Sequence, residues 1–168
     1  MRDEKIYSES LSVLPGRGVY TLVLFLSETL DLTIGELGRH KFPRGYYTYT
    51  GSAIGPGDQS LRLRVNRHLR KTKKKRWHID YLLSNEKVKV TAVIAVSATE
   101  KKLECEVNHL IMEELLGEII VDGFGASDCQ SNCRSHLLYF GLEEDVDFRV
   151  ATLYKERFCE KAAALMFV

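Results

Sequence analysis

The chain has little that would mark it as exported or membrane-bound. No apolar run approaches the roughly 20 residues that cross a bilayer, and the opening "MRDEKIYSES" mixes both signs of charge without the apolar stretch of a secretion signal. These absences predict a soluble, cytoplasmic protein with no membrane partner. Cysteine is scarce: Cys105, Cys129, Cys133 and Cys159 are too few for a small secreted disulfide framework. Low-complexity tracts and internal repeats are missing, which excludes a disordered or fibrous chain. Excess charge of one sign is lacking too, since the formal net charge is only +1. That sum alone argues against a nucleic-acid partner, but its distribution does not. From Arg62 to Arg76, nine of fifteen residues are Lys or Arg and none is acidic, while Glu100 to Glu118 and Glu143 to Asp147 restore the balance. One basic face on a neutral protein follows.

What remains is ordinary globular material. At 168 residues, with 45% hydrophobic and 28% charged, the chain fits a single domain over 1–168. "GVYTLVLFLS" from Gly18 is β-branched, aromatic and almost continuously apolar, as a buried strand is. "LDLTIGELG" alternates from Leu30 and reads as the second arm of a hairpin, and "GYYTYTGSA" from Gly45 reads as a third strand. Beyond it, Asp58 suits an N-cap. Leu61, Val65 and Leu69 recur every fourth residue, predicting an amphipathic helix with an arginine-rich outer face. "WHIDYLLS" is a short helix or turn. Val88 to Ala98 is a fourth strand, and a helix from Thr99 to about Leu116 stops at Gly117. "DGFGASDCQSN" is a loop, "HLLYFGL" a fifth strand, and Val146 to about Leu165 a final helix or tail. The predicted class is α+β.

The tripeptides "GVY", Gly18 to Tyr20, and "YTG", Tyr49 to Gly51, followed by Leu61, Arg64 and His68 at L-x-x-R-x-x-x-H spacing, resemble the GIY-YIG nuclease superfamily. More narrowly, "FPRGYYTYTGSA", "RHLRK", "WHIDYLL", "ECEV" and "FGASDC" look like its uncharacterised, mainly archaeal branch, a domain of unknown function also found joined to endonuclease III-type repair glycosylases. The resemblance spans about residues 18–141, leaving about 142–168 as a C-terminal extension. It implies an antiparallel three-stranded meander flanked by helices, with an additional C-terminal strand and helix. It also implies a divalent-metal-dependent endonuclease acting on DNA, with a role in repair by association and RNA left open as substrate. Tyr20, Tyr49, Arg64 and His68 would be catalytic. Glu104 would bind Mg²⁺ or Mn²⁺, with Glu106, roughly 200° round the helix, in reserve.

The residues suit that chemistry. Phosphodiester hydrolysis needs a positioned water, a proton acceptor and positive charge on the phosphoryl oxygens. Tyr20 and Tyr49 would lie on neighbouring strands. A phenol, which ordinarily titrates at about pH 10, needs a nearby cation to act as a base. Arg64 supplies a fixed planar donor, and His68 lies one turn on. Strand alternation puts Tyr47 with Tyr49 and sends Tyr46 to the opposite, packing face. Arg62, Arg67, Arg70, Lys71, Lys73, Lys74, Lys75 and Arg76 are candidates for gripping phosphates, with His78 beside them. In "WHIDY" an internal contact between His78 and Asp80 would be the structural alternative.

Cys129, Cys133 and His136 form C-x3-C-x2-H, and Cys105 as a fourth ligand would complete a zinc site. The spacing is looser than paired C-x2-C, so a disulfide or buried thiols anchored by His136 is the favoured expectation. Two departures stand out. Thr50 occupies the usual isoleucine of the second tripeptide, and the asparagine that often closes the family's core has no clear position. The rival expectations are a non-catalytic nucleic-acid-binding module of the same fold and a metal-stabilised scaffold with the tyrosines in its core.

Overall fold

The computed structural model describes residues 10–57 and 60–167. The N-terminal "MRDEKIYSE" and the proposed cap Asp58 lie outside the described residues. In chain order the elements are β1 (Gly18–Leu26), β2 (Leu30–Thr33), β3 (Arg39–Phe42), β4 (Gly45–Ala53), α1 (Ser60–Leu69), α2 (His78–Leu83), β5 (Val88–Ser97), α3 (Lys102–Leu115), β6 (Leu137–Tyr139), α4 (Val146–Phe158) and β7 (Ala162–Met166). The class is α+β. Among the described residues no helix is long and apolar enough to cross a membrane.

β1 is the centre of a five-stranded sheet ordered β6-β4-β1-β5-β7, with every neighbouring pair antiparallel. Its near-continuous apolar sequence is explained by burial on both faces. Tyr20, Leu22 and Leu24 face one core with Tyr47, Tyr49, Leu61, Val65 and Ile79. Val19 and Val23 face the other, with Val107 and Ile111 of α3 and Val150 and Tyr154 of α4. Helices α1 and α2 therefore cover one side of the sheet, and α3 and α4 the other. Alternation holds in β4: Tyr47 and Tyr49 join the first core, and Tyr46 packs against the second.

Two pairings differ from expectation. The segment from Leu30 does not pair with β1; it forms a separate two-stranded ribbon with β3, Leu30 opposite Phe42 and Thr33 opposite Arg39. β4 takes the place beside β1, so the predicted meander skips its middle strand. The tail is not one helix either. α4 ends at Phe158, and Ala162–Met166 turns back to pair with β5, Ala92 opposite Met166 and Val96 opposite Ala162. Alanine's helix propensity is a weak prior that the open β5 edge overrides. α3 also stops earlier than its glycine, with Leu116 in the left-handed conformation at φ 61°.

Thr50 has an account on the second face. It is fully buried, and its hydroxyl lies 2.9 Å from that of Thr21, which in turn lies 2.7 Å from the Tyr154 hydroxyl. A threonine suits this buried position because polar partners meet it.

Candidate functional site

A cleft of about 140 Å³ opens where β1 begins and β4 ends. Tyr20 comes from β1, Tyr49 from β4, Arg64 and His68 from α1, and Glu104 from α3, and all five line this cleft. Strand register explains the first two: Leu22 lies opposite Tyr49 and Tyr20 opposite Gly51, so both phenols stand on one face, two residues apart along the sheet. Gly51 makes room for the first. A Cβ there would sit 2.6 Å from the Tyr20 hydroxyl oxygen, well inside contact distance. On the far wall Gly125, at φ +68°, brings loop backbone within 2.8 Å of Tyr49 as measured from an added Cβ.

The groups are wired together. Tyr20 Oη lies 2.8 Å from His68 Nε2. Asp80 Oδ1 lies 3.9 Å from His68 Nδ1, too far for a hydrogen bond, and Nδ1 is buried without a partner; the tautomer that places its N–H towards this carboxylate is the one in which Tyr20 donates to Nε2. Arg64 Nη1 donates to the Ser52 carbonyl, and its guanidinium sits 4.9 Å over the Trp77 ring. The Ser52 hydroxyl donates to Glu104 Oε2, while Glu104 Oε1 lies 2.8 Å from His136 Nδ1. Glu104 is nearly buried at 9% exposure, whereas Glu106, the reserve ligand, is exposed and pairs with Lys102 at 3.6 Å outside the cleft.

Burial sets the protonation states. It raises both phenols: Tyr20 well above its ordinary value, reinforced by Tyr49, and Tyr49 also raised by the Glu104 charge. Arg64 pulls each down without overcoming burial. The expected lowering by a cation is therefore outweighed, and neither tyrosine is a standing phenolate. His68 is pushed down to about 3 by burial and then by Lys73, so it stays neutral. The linkage sign follows. Between the unfolded value of 6.5 and about 3 the unfolded chain binds a proton that the folded chain refuses, so stability falls as pH drops through that window. The slope approaches about 1.4 kcal/mol per pH unit. A His68→Asn variant should lose less stability than wild type between about pH 7 and about pH 5 in urea unfolding. An unchanged slope would show that His68 is not the group.

The basic segment divides. Arg62 donates to the Leu14 and Ser12 carbonyls, Lys73 to those of Arg67 and His68, and Lys71 to those of Leu83, Asn85 and Val88. Arg67 grips Asp80 through two bonds of 2.9 and 2.8 Å and lies 4.4 Å over Trp77. These four cations, candidates for phosphate contacts, are engaged with the chain's own carbonyl and carboxylate groups. Arg70, Lys74, Lys75 and Arg76 are exposed, Lys75 lies over the Tyr81 ring, and Arg76 reaches the cleft rim. His78 also lines the cleft, where Nδ1 accepts from the Gly125 N–H at 3.0 Å; it does not contact Asp80 in the way the sequence allowed.

Sequence reasoning missed three participants, Asp80, Lys101 and Asn108. Asp80, with no exposed surface, accepts from Arg67 and from the Arg76 and Trp77 N–H groups. Lys101 and Asp128 face each other at 3.2 Å across the rim. Asn108 donates to the Ser135 carbonyl at 2.8 Å, anchoring the segment that carries His136 against α3. Only Asn108 left a sequence signal, as a polar residue one position beyond the apolar Val107. The cysteines are free thiols. Cys105, Cys129 and Cys133 converge with His136, their ligand atoms all within 4.8 Å of one another; of the two favoured alternatives they are thiols beside His136 and not a disulfide, and the cluster can hold a metal.

Compared with known protein families, residues 19–159 match the Domain of unknown function DUF123. No curated protein and no solved structure matches the chain.

Proposed function

The chain belongs to the family of the Domain of unknown function DUF123, and for the cleft it carries we propose metal-dependent hydrolysis of DNA phosphodiester bonds. The observation that carries this reading is the convergence of Tyr20, Tyr49, Arg64, His68 and Glu104, which arise from four separate elements, on one open surface. The likeness of "GVY" and "YTG" to the GIY-YIG nucleases supports it, and the repair glycosylases joined to the similar archaeal domain make DNA repair its proposed setting.

Each residue has a role that its protonation state permits. Arg64, fixed on Trp77 and the Ser52 carbonyl, offers its remaining N–H groups to phosphoryl oxygens. Tyr49, neutral, donates a hydrogen bond to the substrate phosphate. Tyr20 relays a proton: its oxygen takes one from the attacking water as its own passes to His68 Nε2, 2.8 Å away. The water oxygen then bonds to phosphorus, the bond to the leaving sugar oxygen breaks, that oxygen takes a proton from solvent, and His68 gives its own up to solvent. Burial keeps His68 a weak acceptor, with Asp80 at 3.9 Å the charge that steadies the imidazolium in transit. Glu104 retains lone pairs beyond those facing Ser52 and His136, which fits the single carboxylate by which Mg²⁺ or Mn²⁺ is often held alongside substrate phosphate. When bound, such an ion supplies Lewis-acid charge to the phosphoryl group. Arg70, Lys74, Lys75 and Arg76 give sequence-independent contacts to the backbone.

Incubation of the wild-type chain with branched and abasic duplexes, with and without Mg²⁺ or Mn²⁺, tests this. Ion-dependent nicking is expected. Tight binding without any nicking would leave a DNA-binding module and refute the enzyme. Within the active protein, Gly51→Ala should displace the Tyr20 phenol and lower the nicking rate by about 100-fold, with an unchanged circular dichroism spectrum. Wild-type rates in that variant would remove Tyr20 from the mechanism.

A further inference from the structure

We infer that Cys105, Cys129, Cys133 and His136 form a structural Zn²⁺ site, and that His136 ties this zinc to the Glu104 carboxylate of the cleft. The inference concerns a different metal, on different ligands, from the hydrolytic ion, and it does not depend on the nuclease reading.

The geometry comes first. The four ligand atoms lie within 4.8 Å of one another, with Cys105 Sγ 3.3 Å from Cys129 Sγ and 3.9 Å from His136 Nε2. Tetrahedral zinc with sulfur at about 2.3 Å needs sulfur atoms roughly 3.8 Å apart, so the Cys105–Cys129 pair opens by about 0.5 Å and pairs near the 4.8 Å limit close by about 1 Å to hold the ion. Three of the ligands are buried and Cys129 is partly so. They come from α3 and from the loop before β6, two segments that the sequence leaves 24 residues apart at their nearest, Cys105 to Cys129. Three sulfurs and one imidazole select zinc over oxygen-loving Mg²⁺ or Ca²⁺.

A second observation is independent of the sulfurs. His136 presents Nε2 to Cys105 and Nδ1 to Glu104 at 2.8 Å. A ring that sets one nitrogen against a carboxylate and turns the other to a cysteine cluster has the layout by which carboxylates orient zinc-bound histidines, and a small rotation of the ring completes the N–H bond to Glu104. His109 Nε2, 3.5 Å from Cys133 Sγ, is placed to donate to that sulfur in the same supporting way.

Zinc binding forms three Zn–S bonds and one Zn–N bond, and the thiol protons leave to solvent. The bound site carries one net negative charge, the sum of three thiolates and Zn²⁺.

The experiment uses the full chain, expressed without added zinc and passed through chelating resin. Elemental analysis should find one zinc per chain. Exchange with Co²⁺ should give the thiolate-to-cobalt charge-transfer band and the intense visible band of a tetrahedral site, and Cys129→Ser should weaken that charge-transfer band. Glu104→Gln, which removes no ligand, should keep the cobalt spectrum but lower zinc affinity by about 10- to 100-fold in chelator competition. A chain with little zinc and three titratable buried thiols, or a Cys105–Cys129 disulfide on non-reducing peptide mapping, would overturn the site. Unchanged affinity in Glu104→Gln would overturn the link to the cleft. All of these are read without substrate. A zinc-loaded chain that does not nick DNA therefore counts against the nuclease alone, and a chain that nicks without zinc counts against this site alone.

Discussion

Arg64→Lys is expected to bind DNA within a few-fold of wild type and to nick it about 100- to 1,000-fold more slowly, the usual loss when one donor to a developing oxyanion is removed. The argument rests on shape, because net charge is unchanged. The guanidinium at position 64 lies over Trp77 and spends Nη1 on the Ser52 carbonyl, and its plane still presents a fork of donors to the cleft. An ammonium is a compact charge whose three donors do not lie in one plane, so it neither matches a phosphate edge with two parallel bonds nor stacks on Trp77 in the same way. If it takes over the Ser52 carbonyl, its remaining donors lack the fixed fork that grips the phosphate. Glu104→Gln should lose as much by a different route, keeping the side-chain volume while weakening any divalent ion. Single-turnover nicking under saturating DNA measures both losses. Retention of more than about a tenth of the wild-type rate by either variant would break the assignment of that residue.

The second large effect is on stability. Asp80→Ala should cost about 3 kcal/mol, because it strips a fully buried carboxylate from four donors: two on Arg67 and the N–H groups of Arg76 and Trp77. The figure sits at the low end for broken buried pairs because the Arg67 side chain keeps 21% exposure and can recover some hydration. For a chain of this size that is a fall in melting midpoint of roughly 10 °C. Burial works against the Asp80 charge, and the Arg67 and backbone hydrogen bonds outweigh it, leaving the folded pKa below the ordinary carboxylate value. The stabilisation is therefore present above about pH 4 and lost as pH falls further, below most of the His68 window. A loss under about 1 kcal/mol in urea unfolding at neutral pH would show that α1 and α2 hold together without this clamp.

Much of this was legible in the residues themselves. The two-residue period of "GYYTYTGSA" sorted Tyr47 and Tyr49 from Tyr46, and helical geometry turned Glu104 inward while sending Glu106 out. Both readings need only the local backbone. Pairing was harder. Alternation marks "LDLTIGELG" as a strand but does not say which neighbour its backbone will meet, and it met β3. "AAALM" carries a helical preference that loses to the unpaired edge of β5. The basic run was only partly legible for a related reason. Sequence displays the cations of Arg62, Lys71 and Lys73 but not the carbonyl groups waiting for them, which the fold supplies from Leu14, Val88 and His68. The link between Glu104 and His136 has no spacing to betray it, since it joins a helix to a loop through tertiary contact alone.

The position of β6 has a consequence for how the protein is made. This three-residue strand pairs with Tyr47, Thr48 and Tyr49, and the residue just before it is His136. Chains emerge N-terminus first and their early segments begin to fold as they do. A nascent chain thus carries Tyr20, Tyr49, Arg64 and Glu104 well before the strand that covers the β4 edge and the histidine that meets Glu104. Until then the β4 edge stays open along Tyr47 to Tyr49, and Glu104 has only Ser52 to hold it. The cleft is finished only once β6 has been made, and until then the β4 edge is open to pairing with another strand.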